Sequence, residues 1–205
     1  MTQYALPISD NGLDTDWVQG AGDGDADHFD EQDEGFGAGR GSGSGPDDAT
    51  TYWNMTGIGT AYAGDHLANN LGGITDPGVG TGHIYRVRCA KSASAGKQVD
   101  VRISLTATGM SSVILDFTNI SNVWTTREDT LTAAEADSIT DYTSGMVIGQ
   151  EGVTVGGGAG RTLFSSALEF ECPDAGTPEQ KNWIRTGHVP NMFGVRPGTT
   201  FGRSW

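Results

Sequence analysis

The sequence predicts an all-β protein, an antiparallel β-sandwich that carries one short helix and an extended C-terminal arm. Three observations predict it. Several segments alternate apolar and polar residues with period two, turn-forming clusters separate them, and one capping-box signature marks a single convincing helix. Only 36% of the 205 residues are hydrophobic while 32 are glycine, which assigns much of the chain to turns and loops. A chain of this length fits one domain with extensions.

In chain order, Asp14–Val18 (DTDWV) reads as a short strand, and Gly35–Gly45 (GFGAGRGSGSG) as a long flexible loop, because it lacks the apolar side chains that offset ordering entropy. Thr50–Trp53 is β-branched and aromatic. His83–Cys89 alternates in part and Val99–Leu105 strictly, with Val99, Val101, Ile103 and Leu105 on one face; Lys91–Lys97 (KSASAGK) joins the two as a hairpin-like connection. Further strands are expected at 112–117, 122–130, 145–150 and 162–172. The last sets Leu168, Phe170 and Cys172 against Glu169 and Glu171. Thr132-Ala-Ala-Glu135 is a capping box in front of a two-turn helix to Ile139.

These elements define a body over residues 1–172. From Pro173 to Trp205 the periodicity disappears, but Trp183, Ile184, Met192, Phe193, Phe201 and Trp205 persist where a disordered tail would be poor in aromatics. With Arg185, Arg196 and Arg203 they suggest an extended arm that anchors on a partner surface.

Charge sharpens this division. The net charge is −14, yet residues 173–205 carry four bases against two acids, whereas residues 1–52 carry twelve acids against Arg40 alone. An acidic body argues against nucleic-acid backbone binding, and a basic arm suits docking on an acidic protein neighbour, a second copy included. No segment is apolar for long enough to span a membrane, and Met1–Asp10 does not resemble an export signal. Cys89 and Cys172 lie in alternating segments and read as buried free thiols of a reducing cytoplasm; their spacing leaves a disulfide open.

A resemblance adds to this pattern. Trp124–Tyr142 (WTTREDTLTAAEADSITDY) resembles a recurring passage of tailed-phage accessory virion proteins, and Asp47–Trp53, Tyr85–Ser94 with Val99–Leu105, and Arg161–Pro173 also look like elements of that family. Together they cover about residues 8–173. The resemblance implies a jelly-roll-like sandwich of a head decoration, head fibre or tail component, with no catalytic residues to carry over. It further implies a virion location, assembly in the bacterial host cytoplasm, and partners among major capsid or tail proteins and further copies of itself. The Gly35–Gly45 loop and the arm depart from the family pattern.

Site chemistry points the same way. Asp23, Asp25, Asp27 and Glu34 match four positions of a calcium-binding loop, but His28 replaces the required glycine and Asp30 an apolar residue, so Ca²⁺ is a secondary expectation and no metal is assigned. His28, His66, His83 and His188 lack zinc-site spacing. Gly41–Gly45 has the letters of a nucleophile elbow without the strand and helix, and Gly156–Gly160 lacks the Lys-Ser/Thr of a phosphate loop. The expectation is a protein that is not an enzyme: a capsid decoration subunit docked through its arm. The alternative is a carbohydrate-binding host-recognition module with Trp53, Tyr52, Tyr62 and Trp124 as its aromatic platform.

Overall fold

The structure, a computed structural model, describes residues 2–13, 17–22, 29–30, 32–37, 45–46, 48, 50–56, 58–62, 67–93, 98–155 and 161–176. The described strands are β1 (Thr2–Ala5), β2 (Pro7–Leu13), β3 (Trp17–Ala21), β4 (Tyr52–Thr56), β5 (Leu67–Leu71), β6 (Ile84–Lys91), β7 (Gln98–Ala107), β8 (Met110–Phe117), β9 (Thr125–Thr130), β10 (Val147–Val155) and β11 (Thr162–Pro173). One helix, α1 (Ala133–Ser138), lies between β9 and β10.

The strands form two antiparallel sheets packed face to face. Sheet A runs β3-β4-β11-β6-β9, with β1 also paired to β11; sheet B runs β2-β5-β10-β7-β8. From β4 onward the chain alternates between sheets except at the β7–β8 hairpin. The resulting orders, β4-β11-β6-β9 over β5-β10-β7-β8, are those of a jelly roll. The predicted fold class therefore holds, and β1, β2 and β3 extend it.

Alternation dictates which face each strand buries. On β7, Val99, Val101, Ile103 and Leu105 are fully buried, while Asp100, Arg102, Ser104 and Thr106 take the opposite face. Tyr85, Val87 and Cys89 of β6 and Leu163, Leu168, Phe170 and Cys172 of β11 face them from sheet A. Each such aliphatic side chain contributes roughly 1.5–3 kcal/mol on burial. Both cysteines are free thiols, and burial pushes each up to about 12.

β11 organises sheet A. On one flank it pairs with β6; on the other it pairs with β4 over Thr162–Ser165 and with β1 over Phe170–Pro173. The gap between those two partners is filled by the segment at 32–37: Leu168 N–H donates to the Gln32 carbonyl at 3.2 Å, and Phe36 N–H donates to Glu169 Oε2 at 3.2 Å. The Gln32 side chain reaches into the core and donates to Ser165 Oγ at 2.6 Å. Ser165 in turn donates to Gln150 Oε1 of sheet B at 2.6 Å, and Asn69 Nδ2 donates to Gln32 Oε1 at 2.7 Å. A fully buried polar bridge thus joins the two sheets.

The predicted capping box is present. Glu135 N–H donates to Thr132 Oγ1 at 3.3 Å, and Thr132 N–H donates to Glu135 Oε2 at 2.7 Å. The helix ends at Ser138 with Ile139 as its C-cap, and Thr140 N–H donates to the Thr108 carbonyl, setting α1 beside the β7–β8 turn. That turn requires Gly109, whose φ is +88° and whose added Cβ would stand 2.5 Å from the Ser138 carbonyl oxygen.

Candidate functional site

Among the described residues, two of the hollows lie on opposite outer faces of the sandwich. The larger, about 410 Å³, lies on sheet B and is lined by Tyr62, Arg102, Ser104, Thr106, Ser112, Ile114 and Glu151. Its floor follows from the pleat. The register pairs Arg102 with Glu151 and with Asp116, Ser104 with Ile114, and Val147 with Thr106, all on the face turned from the core. Tyr62 arrives from the segment after β4, which is stitched to β10 where Thr154 N–H donates to the Gly59 carbonyl at 2.8 Å.

Arg102 is the centre of this groove. Its guanidinium lies 3.9 Å from the Tyr62 ring centroid and donates to Asp116 Oδ1 and Oδ2 at 2.8 and 3.0 Å. Those hydrogen bonds hold the Asp116 carboxyl below its usual range, and burial together with the Asp116 charge pushes the Tyr62 hydroxyl up to about 12. Glu151 is 2% exposed although it sits on the outer face. The groove therefore gathers one aromatic ring, a fixed guanidinium, two carboxylates and three hydroxyls. Among its lining residues there is no histidine, cysteine or lysine.

The smaller hollow, about 230 Å³, lies on sheet A and is lined by Asp48, Tyr52, Trp124 and Phe164. Its rings contact one another: Tyr52 meets Phe164 at 5.5 Å and Trp124 at 5.8 Å between centroids, both edge-on, and Trp124 meets Phe164 at 6.1 Å. Asp48 is clamped by Arg88 Nε and Nη2 at 2.6 and 2.5 Å and by Ser166 Oγ at 2.9 Å.

The structure divides the expected aromatic platform. Tyr52 and Trp124 come together on sheet A, Tyr62 lies across the molecule on sheet B, and Trp53 belongs to neither surface. Trp53 is 4% exposed and packs in the core, because on β4 it alternates with the outward Tyr52 and Asn54; as a platform residue it is corrected to a core residue. Arg102 and Glu151 were not expected as site residues. The strict alternation of Val99–Leu105 is the signal that puts Arg102 and Ser104 on one outward face.

The remaining expected residues lie elsewhere. Glu34 is buried within the 32–37 segment, and Asp23, Asp25 and Asp27 fall outside the described residues. Among the described residues no group of three or more His, Cys, Asp or Glu is placed to hold a metal. His83 is buried and hydrogen-bonded to the Tyr142 hydroxyl at 2.8 Å. The arm residues Trp183, Ile184, Arg185, Met192, Phe193, Arg196, Phe201, Arg203 and Trp205 also lie outside the described residues.

No family model and no curated protein matches the chain. Solved structures similar to it include a family 16 carbohydrate-binding module at 12% identity and a TM-score of 0.34, with 60% of this chain and 77% of that one covered. A second is the family 22 module and family 10 catalytic module of a Clostridium thermocellum xylanase complexed with xylohexaose. It shows 11% identity and a TM-score of 0.40, with 85% of this chain covered but only 29% of the longer one. A third is a family 11 carbohydrate-binding module from Clostridium thermocellum in complex with a mixed-linked tetrasaccharide, at 11% identity and a TM-score of 0.35, with 84% of this chain and 96% of that one covered. At these values the likeness does not extend beyond the β-sandwich.

Proposed function

We propose that this chain is a non-catalytic carbohydrate-binding module that takes a neutral glycan in the groove on sheet B. The observation that carries the proposal is the Tyr62–Arg102–Asp116 arrangement in a hollow of about 410 Å³. Ligand sites occupy hollows of ~300–1,000 Å³ with a few convergent polar groups, and the 230 Å³ hollow on sheet A falls below that range. Perturbed titratable groups meeting in a cleft add to the case, since Tyr62 and Asp116 are both displaced from their usual ranges there.

A sugar ring offers C–H groups to an aromatic surface and hydroxyls to fixed donors and acceptors. Tyr62, Arg102, Glu151, Ser104, Thr106 and Ser112 supply both kinds of contact. The carboxylates of Asp116 and Glu151 outnumber the single guanidinium, so a polyanionic glycan would be repelled and a neutral one accepted.

Affinity electrophoresis against neutral and acidic polysaccharides tests this. Retention by a neutral polymer is expected, lost on Tyr62→Ala or Arg102→Ala and kept on Trp124→Ala. Retention that disappears only with Trp124→Ala would move the site to sheet A. Indifference to every glycan tried would end the proposal. The virion-accessory reading rests on the resemblance over 124–142 and on the arm; there, deletion of 175–205 that left particle incorporation unchanged would dismiss the arm.

A further inference from the structure

Among the described residues, the outer strands of the two sheets are not equally protected against pairing with another strand. β2 begins at Pro7 and carries two register shifts; β3 has five residues and one shift; β1 has four residues; β9 reads TTREDT, with three charges in six residues. Each carries a device that discourages edge pairing: proline, irregularity, brevity or charge. β8 has the least protection: its one register shift lies at the Met110 end, between Leu105 and Ala107 of β7, and it carries one charge. Its eight residues, MSSVILDF, hold no proline, lysine or glycine, and its pairing with β7 is unbroken from Val101↔Phe117 to Leu105↔Val113. The single charge, Asp116, is held by Arg102. Ser111, Ser112, Ile114 and Asp116 are exposed, with Ile114 at 55%, and Val113, Leu115 and Phe117 are only half-buried. α1 sits by the Thr108–Gly109 turn, at the start of the strand, where Met110 is buried.

We propose that β8 is a homodimer edge, at which two copies join antiparallel about a two-fold axis so that the two B sheets become one continuous sheet. The sequence of β8 suits itself as a partner. Opposed residues in an antiparallel pair share a face, so only registers that match inward with inward side chains are allowed. Among these, the register that sets Ile114 opposite Ile114 of the second copy places Val113 against Leu115 and Ser112 against Asp116. The exposed apolar residue is covered, the core side of the joint sets Val113 against Leu115 and Ser111 against Phe117, and no like charges meet. Shifting by one allowed step sets Ile114 against Asp116 or Ser112 instead. An edge joint buries less than the ~1,200 Å² of a stable interface, so a weak, micromolar dimer is expected. The inference stands apart from the glycan reading, although Ser112 and Ile114 line the sheet B groove and the joint would bring two grooves together.

Sedimentation velocity on the full chain at about 100 μM, where a micromolar interface is saturated, is the test. A dimer is expected that dissociates on dilution. Ile114→Lys is expected to weaken it by about tenfold or more, because two lysines would oppose each other with Cβ atoms ~5 Å apart, whereas Ile8→Lys on β2 leaves it intact. Ile114→Cys supplies an independent reading. Since Cys89 and Cys172 are buried, oxidation of that variant should link two copies through position 114 alone. A monomeric wild-type protein at that concentration overturns the proposal. So does a dimer that survives Ile114→Lys while oxidised Ile114→Cys forms no link between copies, or one that vanishes on deletion of 177–205 while β8 is unchanged.

Discussion

Replacing Ser165 by alanine tests how much the polar bridge between the sheets contributes. Ser165 Oγ accepts from Gln32 Nε2 and donates to Gln150 Oε1, each at 2.6 Å, and all three residues are fully buried. Ser165→Ala strands two buried polar groups, and each costs about 1–3 kcal/mol when left unpaired. The expected loss is about 2–4 kcal/mol. In urea, at an m-value of about 2 kcal/mol/M, the unfolding midpoint should fall by about 1–2 M. The double variant Ser165→Ala/Gln150→Leu removes one stranded partner with its donor, so its cost should fall short of the summed single costs by about 1 kcal/mol or more. Strict additivity, or a Ser165→Ala midpoint within error of wild type, would refute the view that the bridge is a coupled unit.

Three other outcomes follow from the geometry. His83 titrates below the usual histidine range because burial disfavours its charged form, against a hydrogen bond to the Thr81 backbone carbonyl and the charges of Asp137 and Asp76. The unfolded chain therefore binds the proton first. Stability is complete above about pH 6.5 and falls as pH drops toward the folded value, by at most ~1.4 kcal/mol per pH unit, a slope that His83→Gln should flatten in urea titrations at pH 7.5 and 5.5. Cys89 and Cys172, whose thiols are pushed up to about 12, should resist alkylation at pH 8 until the chain is unfolded, and prompt labelling of the native protein would contradict their burial. Gly109→Ala should lower the urea midpoint by the equivalent of about 1–3 kcal/mol, because it adds a side chain at positive φ and drives it into the Ser138 carbonyl.

Sequence reading assigns the inward face most readily where a strand is buried on one face over five or more residues. β6, β7 and β11 have inward Val, Ile, Leu, Tyr and Phe against outward Arg, Asp and Glu, and both the period and the face are readable. β2 and β5 are not readable in this way. Pro7 and Gly12 are poor strand formers, and the inward position 69 is an asparagine whose burial is justified only by Gln32, far away in sequence. β10 runs on to Val155 past Gly149 and Gly152, where composition signals a turn but the ladders to β5 and β7 supply the order. The groove shows the same limit. Tyr62 is visible as an aromatic and Arg102 as an outward residue, but Glu151 joins them only through the β7–β10 register.

The pairing of Thr2 with Pro173 has a topological consequence. Thr2 and Pro173 lie at one corner, on adjacent strands of sheet A, while the groove opens on the reverse side of the sandwich. Anything tethered before Thr2 or after Pro173 pulls on a single point, like a flag held at one corner, and the groove is left turned outward.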